Sequence, residues 1–580
     1  MNKAREFLAL LRSLAREWKW LAGYIRRYAK EVLFYILIGV SGTIMGLGAS
    51  VASKYLIDAV VAKRPAETVY AGALVIALAL VQLCVNAGTN RLSTRIGTRV
   101  RSEIRSAIFE HIVYARWEQI RGYHSGDLIN RLEGDVATVA NGVVSYIPNL
   151  VTRLTQFVGC LAIVLYYDPT MAVFALVSAP FMFLSTEVSA KMMRKYNRES
   201  REMNGKLLSF SSETIQNLQA IKAFDLTRRY AARFQEMMGQ IRRMQLEHNR
   251  YSVRLTFCMS LLGLLVSYSC YGWGVWRLWQ GAITYGTMTL FIQISGNLTS
   301  SFSSLVSLAP GGIAVATAAG RIMEITDLDL ERDRDARQAQ ALAAEARRRG
   351  AAVAVRHVTY AYGVGERAVL QDISFRAEPG EVIALVGPSG EGKTTILRLI
   401  LGLMEPDAGQ IEISAGGEAM PVSDSTRRLC AYVPQASTIF SGTIADNLRL
   451  SDPDAGEEKL AAALKKAEAW DFVSELPEGM NTNIGERGVN FSEGQIQRIS
   501  IARALLRGSS VLIMDEATSA LDAQTEERLV RNLLAAPDKQ TCILTTHRPS
   551  MLRYCSRVYR LHDNGNLSEE TAMEGESKDV

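Results

Sequence analysis

At 580 residues, 48% of them hydrophobic, the chain is too long for one ordinary domain and predicts roughly two to four folding units. The formal charge of +6 is small for this length; it points to no nucleic-acid partner and suits basic residues lying at a membrane surface. The seven cysteines, at 84, 160, 258, 270, 430, 542 and 555, form no CxxC pair and no metal-ligand spacing, which excludes a disulfide scaffold and predicts reduced thiols in a cytoplasm-facing protein.

The basic N-terminus is not followed by a short apolar stretch with a small-residue cleavage site, so no cleaved leader is expected. Residues 1–30 include "LAREWKWLAGYIRRYAK", where Trp18, Trp20 and Tyr24 alternate with Arg and Lys as in a helix lying in the membrane interface. Six apolar runs follow between residues 31 and 325: Val32 to Val60, Val69 to Asn86, Val143 to Tyr167, Met171 to Val188, Thr256 to Leu278 and Thr287 to Leu308. A hydrocarbon core of about 30 Å needs roughly 20 apolar residues in a helix, so the second run is short unless its helix continues past Asn86.

The segment between the second and third runs carries Arg91, Arg95, Arg99, Arg101, Arg105, Arg116, Arg121 and Arg131. The segment between the fourth and fifth is basic from Lys191 to Arg250, while the other connections hold few charges. Positive charge stays inside, so both long segments and both termini are expected in the cytoplasm. Their helix-favouring composition predicts helices that run beyond the bilayer as long intracellular hairpins, turning near residues 120–128 and 224–230. Trp273, Trp276 and Trp279, three apart, suit the outer interface of the fifth run or ordinary aromatic packing.

The sixth run, "TLFIQISGNLTSSFSSLVSLAP", holds Gln293, Asn297, Thr299, Ser300, Ser301, Ser303, Ser304 and Ser307. Polar groups facing lipid are costly, which predicts a wet cavity or the bundle interior. Small serines that bond back to their own helix and allow close packing explain the same residues. Both readings stay open, as they do for Arg153 and Gln156 in the third run.

Residues 326–350, "DRDARQAQALAAEARRRG" among them, read as a linker. The second half then begins with the β-like runs "AVAVRHVTYAY", "DISFRAE" and "EVIALVG". The last leads into "GPSGEGKTT" and the helical pattern "ILRLILGLM": strand, glycine-rich loop, helix. Gly387, Gly390 and Gly392, with Ser389 among them, allow a tight loop whose amides face phosphate oxygens, and the helix N-terminus adds a favourable dipole. Lys393 reaches the β- and γ-phosphates, Thr394 is placed for magnesium, and Thr395 completes the motif. Further on, "SVLIMDEATSALD" ends an apolar strand in Asp515, a candidate magnesium ligand, and Glu516, which suits polarising the attacking water. Two acidic caps would explain this pair alone, but not beside the lysine loop. His547 ends the next apolar strand, "ILTTHR", and suits a γ-phosphate contact.

Together these motifs resemble an ATP-binding cassette exporter of the half-transporter kind, over nearly the whole chain. The resemblance implies a multi-domain fold: an N-terminal all-α six-span transmembrane bundle, then an α/β P-loop NTPase cassette over 351–567 and an acidic tail over 568–580. Tyr362 in "VTYAY" matches the aromatic that stacks on adenine. Gln435 in "YVPQASTIFSGTIADNL" matches the glutamine that senses magnesium and the attacking water. "FSEGQIQR" matches the signature motif, so Ser492, Gly494 and Gln495 are expected to meet ATP held by a partner subunit. Phe491 and Glu493 depart from the usual Leu and Gly. "SALD", Ser519 to Asp522, matches the loop that crosses to the partner. The resemblance thus implies ATP and Mg2+ as cofactors and a second half-transporter, identical or related, as partner. It also implies a multi-pass location in the cytoplasmic (inner) membrane among lipid, and export of a small or amphipathic substrate. Import of a siderophore-like ligand, or gating without pumping, are the alternatives.

Overall fold

The computed structural model describes residues 16–570 apart from 25, 171–195, 197–198, 201, 332, 334, 364, 366, 389, 436–437, 486–489 and 535–538. The fourth expected span, Met171 to Val188, lies outside the described residues, as do Ser389 and positions 571–580 of the expected tail. The chain divides into two compact units, Met1–Val113 with Tyr123–Asp327, and Tyr114–Gly122 with Leu328–Val580.

Long helices build the first unit. Among the described residues three of them, Ala29–Val61, Pro65–Tyr114 and Ser125–Tyr167, are long and apolar enough to cross a membrane. Pro65–Tyr114 continues well past Asn86, and its 50 residues span about 75 Å at 1.5 Å each. The polar extension holds because Ile96, Val100, Ile104 and Ile108 recur every fourth residue and form one buried stripe. Nearer its start Leu74, Ile76, Leu80 and Leu83 face outward and need apolar surroundings. Thr227–Trp279 and Tyr285–Thr326 complete the described long helices of this unit.

Tyr285–Thr326 packs between the first and third of these helices, where Leu47, Cys160, Val164, Phe291 and Ile294 form a shared core. Glycines make room where the helices meet: a Cβ on Gly286 would collide with the Lys54 carbonyl oxygen, and one on Gly312 would stand 2.6 Å from the Tyr146 hydroxyl. Buried Arg131 adds polar ties, donating to Asp127 (2.8 Å), to Glu324 (2.7 Å) and to the Arg321 carbonyl (2.6 Å). On the sixth apolar run, the Ser300, Ser301 and Ser304 hydroxyls donate to carbonyls of their own helix at 3.0, 3.2 and 2.8 Å. The back-bonding reading therefore describes these three, whereas Asn297 lines a cavity.

The second unit holds two main sheets. Leu370–Ala377, Ala352–Tyr360, Ala408–Ala415 and Glu418–Pro421 form an antiparallel one, in that order. In the six-stranded sheet, Val382–Val386 lies between Thr541–Thr545 and Arg557–Leu561, parallel to both. Val511–Asp515 pairs beyond Thr541–Thr545, and Cys430–Val433 beyond that. Burial on both faces explains why these strands read as unbroken apolar runs. The expected linker is largely a helix, Ala336–Arg349, that buries Ala339, Leu342 and Ala346 in the cassette core. Its charges hide a short apolar stripe at i, i+3 and i+7. The last strand, Leu567–Glu570, pairs antiparallel with Arg557–Leu561, so the sheet continues beyond residue 567.

Candidate functional site

Val382–Val386 delivers the chain into the glycine loop from the middle of the six-stranded sheet. Gly387, Gly390 and Gly392 have φ of 145°, 92° and 110°, conformations that favour glycine. At Gly387 a Cβ would also stand 2.6 Å from the Leu561 carbonyl oxygen. The helix Lys393–Ile400 starts at once, with Lys393 buried and Thr394 half-buried in its first turn. Lys393 Nζ folds back over the loop and donates to the carbonyls of Gly387 and, at 2.9 Å, Pro388. Burial pulls its ammonium below the usual range, partly offset by the nearby Glu516, Glu391 and Asp515 carboxylates.

Three other expected site residues converge on this lysine. Gln435 Nε2 donates to Glu516 Oε2 at 2.7 Å. His547 Nε2 lies 3.2 Å from Glu516 Oε1 and 3.2 Å from Lys393 Nζ. A proton on that nitrogen favours Glu516; a bare nitrogen accepts from Lys393. Four side chains up to 154 positions apart thus form one polar chain beside the loop. Glu516 holds a left-handed φ of 47°, a costly conformation for a residue with a Cβ. Its backbone N–H donates to Thr545 Oγ1 (2.8 Å), and that hydroxyl donates to Asp515 Oδ1 (2.8 Å). Thr545 therefore aims both acidic residues, and no local sequence pattern marks it.

Near the loop, Tyr362 shares a 2.7 Å hydroxyl contact with Thr395. The Arg121 guanidinium lies 4.3 Å from the centre of the Tyr362 ring. Glu118, three residues earlier, accepts from the Tyr360 hydroxyl at 2.8 Å. Residues 114–122 belong to the same compact unit as these tyrosines. Glu391 within the loop stands beside Asp563, and their shared hydrogen bond lifts the Glu391 carboxyl above its usual range.

The family models agree with this geometry. Residues 32–302 match the ABC transporter transmembrane region and residues 370–519 match the ABC transporter model. The chain belongs to the ABC transporter family. It is 26% identical to a multidrug resistance ABC transporter ATP-binding and permease protein of Lactococcus lactis, over 92% of this chain and 90% of that one. A Staphylococcus aureus protein named for multidrug export is 27% identical over 77% of this chain and 76% of its own length. Among solved structures, a bacterial Atm1-family ABC exporter with ATP bound shares the fold, with a TM-score of 0.76 at 23% identity, over 94% of this chain and 95% of that one.

In this ABC transporter the residues expected to form the signature sit together at a helix start. Ser492 caps the helix Glu493–Leu506: its hydroxyl accepts from the Gln495 N–H (3.3 Å), and Gln495 Oε1 accepts from the Ser492 N–H (2.9 Å). Among the described residues neither side chain bonds to the phosphate loop. Glu493 is exposed in the first turn, where the helix dipole favours a carboxylate. A Cβ on Gly494 would stand 2.8 Å from the Ala520 carbonyl oxygen, so this glycine lets the signature helix touch the Ser519–Asp522 loop. Buried Gln497 reinforces that contact by accepting from the Ala520 N–H (3.0 Å) and donating to the Glu516 carbonyl (3.4 Å). Asp522 caps the following helix by accepting from the Thr525 N–H at 2.9 Å, which holds its carboxyl below the usual range. Arg548 ties the loop down through the carbonyls of Ser519 (2.7 Å) and Leu521 (2.8 Å). Gln497, Thr545, Arg121 and Arg548 are the positioning residues that the motifs alone do not mark.

Proposed function

We propose that this chain couples ATP hydrolysis to export of a small or amphipathic solute across a cytoplasmic membrane, as one half of a two-chain transporter. The observation that carries the reading is the polar chain Gln435–Glu516–His547–Lys393 beside a glycine loop, in a chain that also carries the transporter transmembrane region. Loop amides and Lys393 hold the β- and γ-phosphates, and Tyr362 receives the adenine. Glu516, oriented by Gln435 and Thr545, accepts the proton of the attacking water, and His547 steadies the γ-phosphate. Thr394, Gln435 and Asp515 supply hard oxygen donors suited to Mg2+, which draws its other ligands from phosphates and water. When bound, the ion neutralises charge on the phosphates.

Ser492, Gly494 and Gln495 complete the partner's site, and the Ser519–Asp522 loop crosses between subunits. ATP then favours the closed pair because only that state lets it touch both chains. Six spans with intracellular hairpins, and a cytoplasmic cassette and termini, complete this reading. The pair is two copies of this chain, or this chain with a related one. The relatives' names support export over import, and Glu516 with His547 supports turnover over pure gating.

The test is reconstitution of the full chain in vesicles, with ATP hydrolysis and ATP-dependent solute movement measured together. Glu516→Gln is expected to lower hydrolysis by about 100-fold or more while ATP still binds, since general-base catalysis contributes about 10²–10⁴-fold. Near-normal hydrolysis in that variant would sink the role of Glu516. Hydrolysis without vectorial movement would favour gating.

A further inference from the structure

The first unit contains a cavity of about 500 Å³ between the helices Ala29–Val61, Pro65–Tyr114, Ser125–Tyr167 and Tyr285–Thr326. Its size falls in the range of about 300–1,000 Å³ usual for small-molecule sites. The lining is unusual for an apolar bundle: Gln82, Asn86, Asn149, Gln156 and Asn297 present amides, and Arg153 presents a cation. Among the described residues no Asp or Glu lines it. Arg153 Nη1 donates to Gln156 Oε1 at 2.9 Å, and among the described residues no carboxylate pairs with it. A cation in a membrane-crossing helix with only a neutral partner lacks the counter-charge that such a group ordinarily finds.

The amides divide into held and waiting groups. Gln82 Nε2 donates to Asn86 Oδ1 at 3.0 Å, but among the described residues the buried Gln82 Oε1 has no partner. Glycines make room for this side chain: a Cβ on Gly42 would stand 3.2 Å from Gln82 Nε2, and one on Gly46 3.5 Å from Gln82 Oε1. The nearby Thr43, Thr89 and Thr152 hydroxyls are already spent on carbonyls of their own helices. What remains for a ligand is therefore one positive fork and several amides.

We infer that this cavity binds a small polar anion, a solute whose carboxylate, phosphate or sulfonate meets Arg153 while its further polar groups meet the Gln82 and Asn149 amides. This deepens the export reading and rests on it, because it names the class of the transported solute. An apolar drug would leave Arg153 and Gln82 Oε1 unsatisfied on binding; an anionic solute that also carries an N–H or O–H donor satisfies both, its anionic oxygens accepting from Arg153 and its donor giving to Gln82 Oε1.

The probes are dansyl-glycylglycine, which carries one carboxylate, and its C-terminal amide, of nearly the same size, which replaces that charge with a neutral amide. Binding is read by dansyl fluorescence on the full chain in neutral phosphatidylcholine nanodiscs, without nucleotide. The wild-type protein is expected to prefer the carboxylate by about tenfold or more, the scale of one hydrogen-bonded charge. Arg153→Gln should abolish that preference while still binding the amide, which also shows that the variant folds, and Arg153→Lys should restore part of it. No preference in the wild type, no binding of either probe, or a preference that survives Arg153→Gln would each overturn the assignment. Loss of probe binding when phosphatidylglycerol is added supports the anion site and assigns its occupant to a lipid headgroup; unchanged binding supports a free solute. ATP-driven uptake of the carboxylate into vesicles is measured separately. Its absence beside intact, selective binding would strike the export reading and leave the anion site standing.

Discussion

The cassette site and the membrane cavity treat their polar groups in opposite ways. Beside the glycine loop the groups satisfy one another: Gln435 holds Glu516, Glu516 holds His547, and Lys393 rests on loop carbonyls. In the cavity, among the described residues, Arg153 has only a neutral partner and Gln82 Oε1 has none. The difference fits the tasks proposed for them. Catalysis on a fixed substrate gains from groups already aimed, because reorganisation is then paid in folding rather than in the reaction. A transport site must bind and release, so groups completed by the passenger serve better than groups completed by the protein.

The largest effect on this contrast is expected at Lys393. Lys393→Ala removes the charge that the cassette holds ready and should weaken ATP binding by about tenfold or more, the scale of a charge-assisted hydrogen bond. Equilibrium binding of a fluorescent ATP analogue to the full chain checks it. Unchanged affinity would mean that the loop amides alone carry the phosphates, and the cassette would be less dependent on prepared charge than argued.

Gln497 tests the wiring itself. Its amide joins the signature helix to the Ala520 N–H and to the Glu516 carbonyl from a buried position. Gln497→Leu leaves those backbone groups without their partner, which costs about 1–3 kcal/mol. The expected readout is a lowered thermal midpoint of the cassette transition, together with reduced hydrolysis. A stable variant with normal turnover would show that the signature helix and Glu516 are coupled some other way.

The same contrast explains what the sequence made legible. Phosphate chemistry demands glycines at left-handed φ, a lysine in the first helical turn and carboxylates at a strand end. These requirements are local, so Gly387, Lys393 and Asp515 stand out in one dimension. Thr545, Gln497 and Arg121 act across the fold, on partners 30, 23 and 241 positions away, and leave no local pattern. The helix Ala336–Arg349 was hidden for a related reason: its buried face is narrow, and its charges dominate its composition. The cavity was half visible. Arg153 and Gln156 sit one turn apart in one apolar run, but Gln82, Asn86 and Asn297 come from other helices and join them only when the bundle packs.

Arg121 marks a place where the cassette site also waits. Its guanidinium covers the Tyr362 ring at 4.3 Å, on a ring expected to receive adenine. If the two compete for one face, Arg121→Ala should raise nucleotide affinity by roughly two- to fivefold, the equivalent of an exposed cation–π contact of about 0.5–1 kcal/mol. Titration with ATP and with GTP, under conditions that block turnover, separates the outcomes. A fall in affinity would place Arg121 with the nucleotide rather than against it.

The smallest effect is expected at Glu493, the residue that departs from the usual signature glycine. Its side chain is exposed, and the capping box between Ser492 and Gln495 is complete without it. Glu493→Gly removes a carboxylate that favours the helix N-terminus by about 0.3–1 kcal/mol and adds glycine's flexibility. The cassette should therefore lose slight thermal stability while ATP affinity and turnover stay within about twofold, less than 0.5 kcal/mol. A large gain in ATP affinity would mean that the carboxylate opposes the partner's phosphates. The signature would then belong with the groups that wait, and the line between a wired cassette and an open cavity would have to be redrawn through the cassette itself.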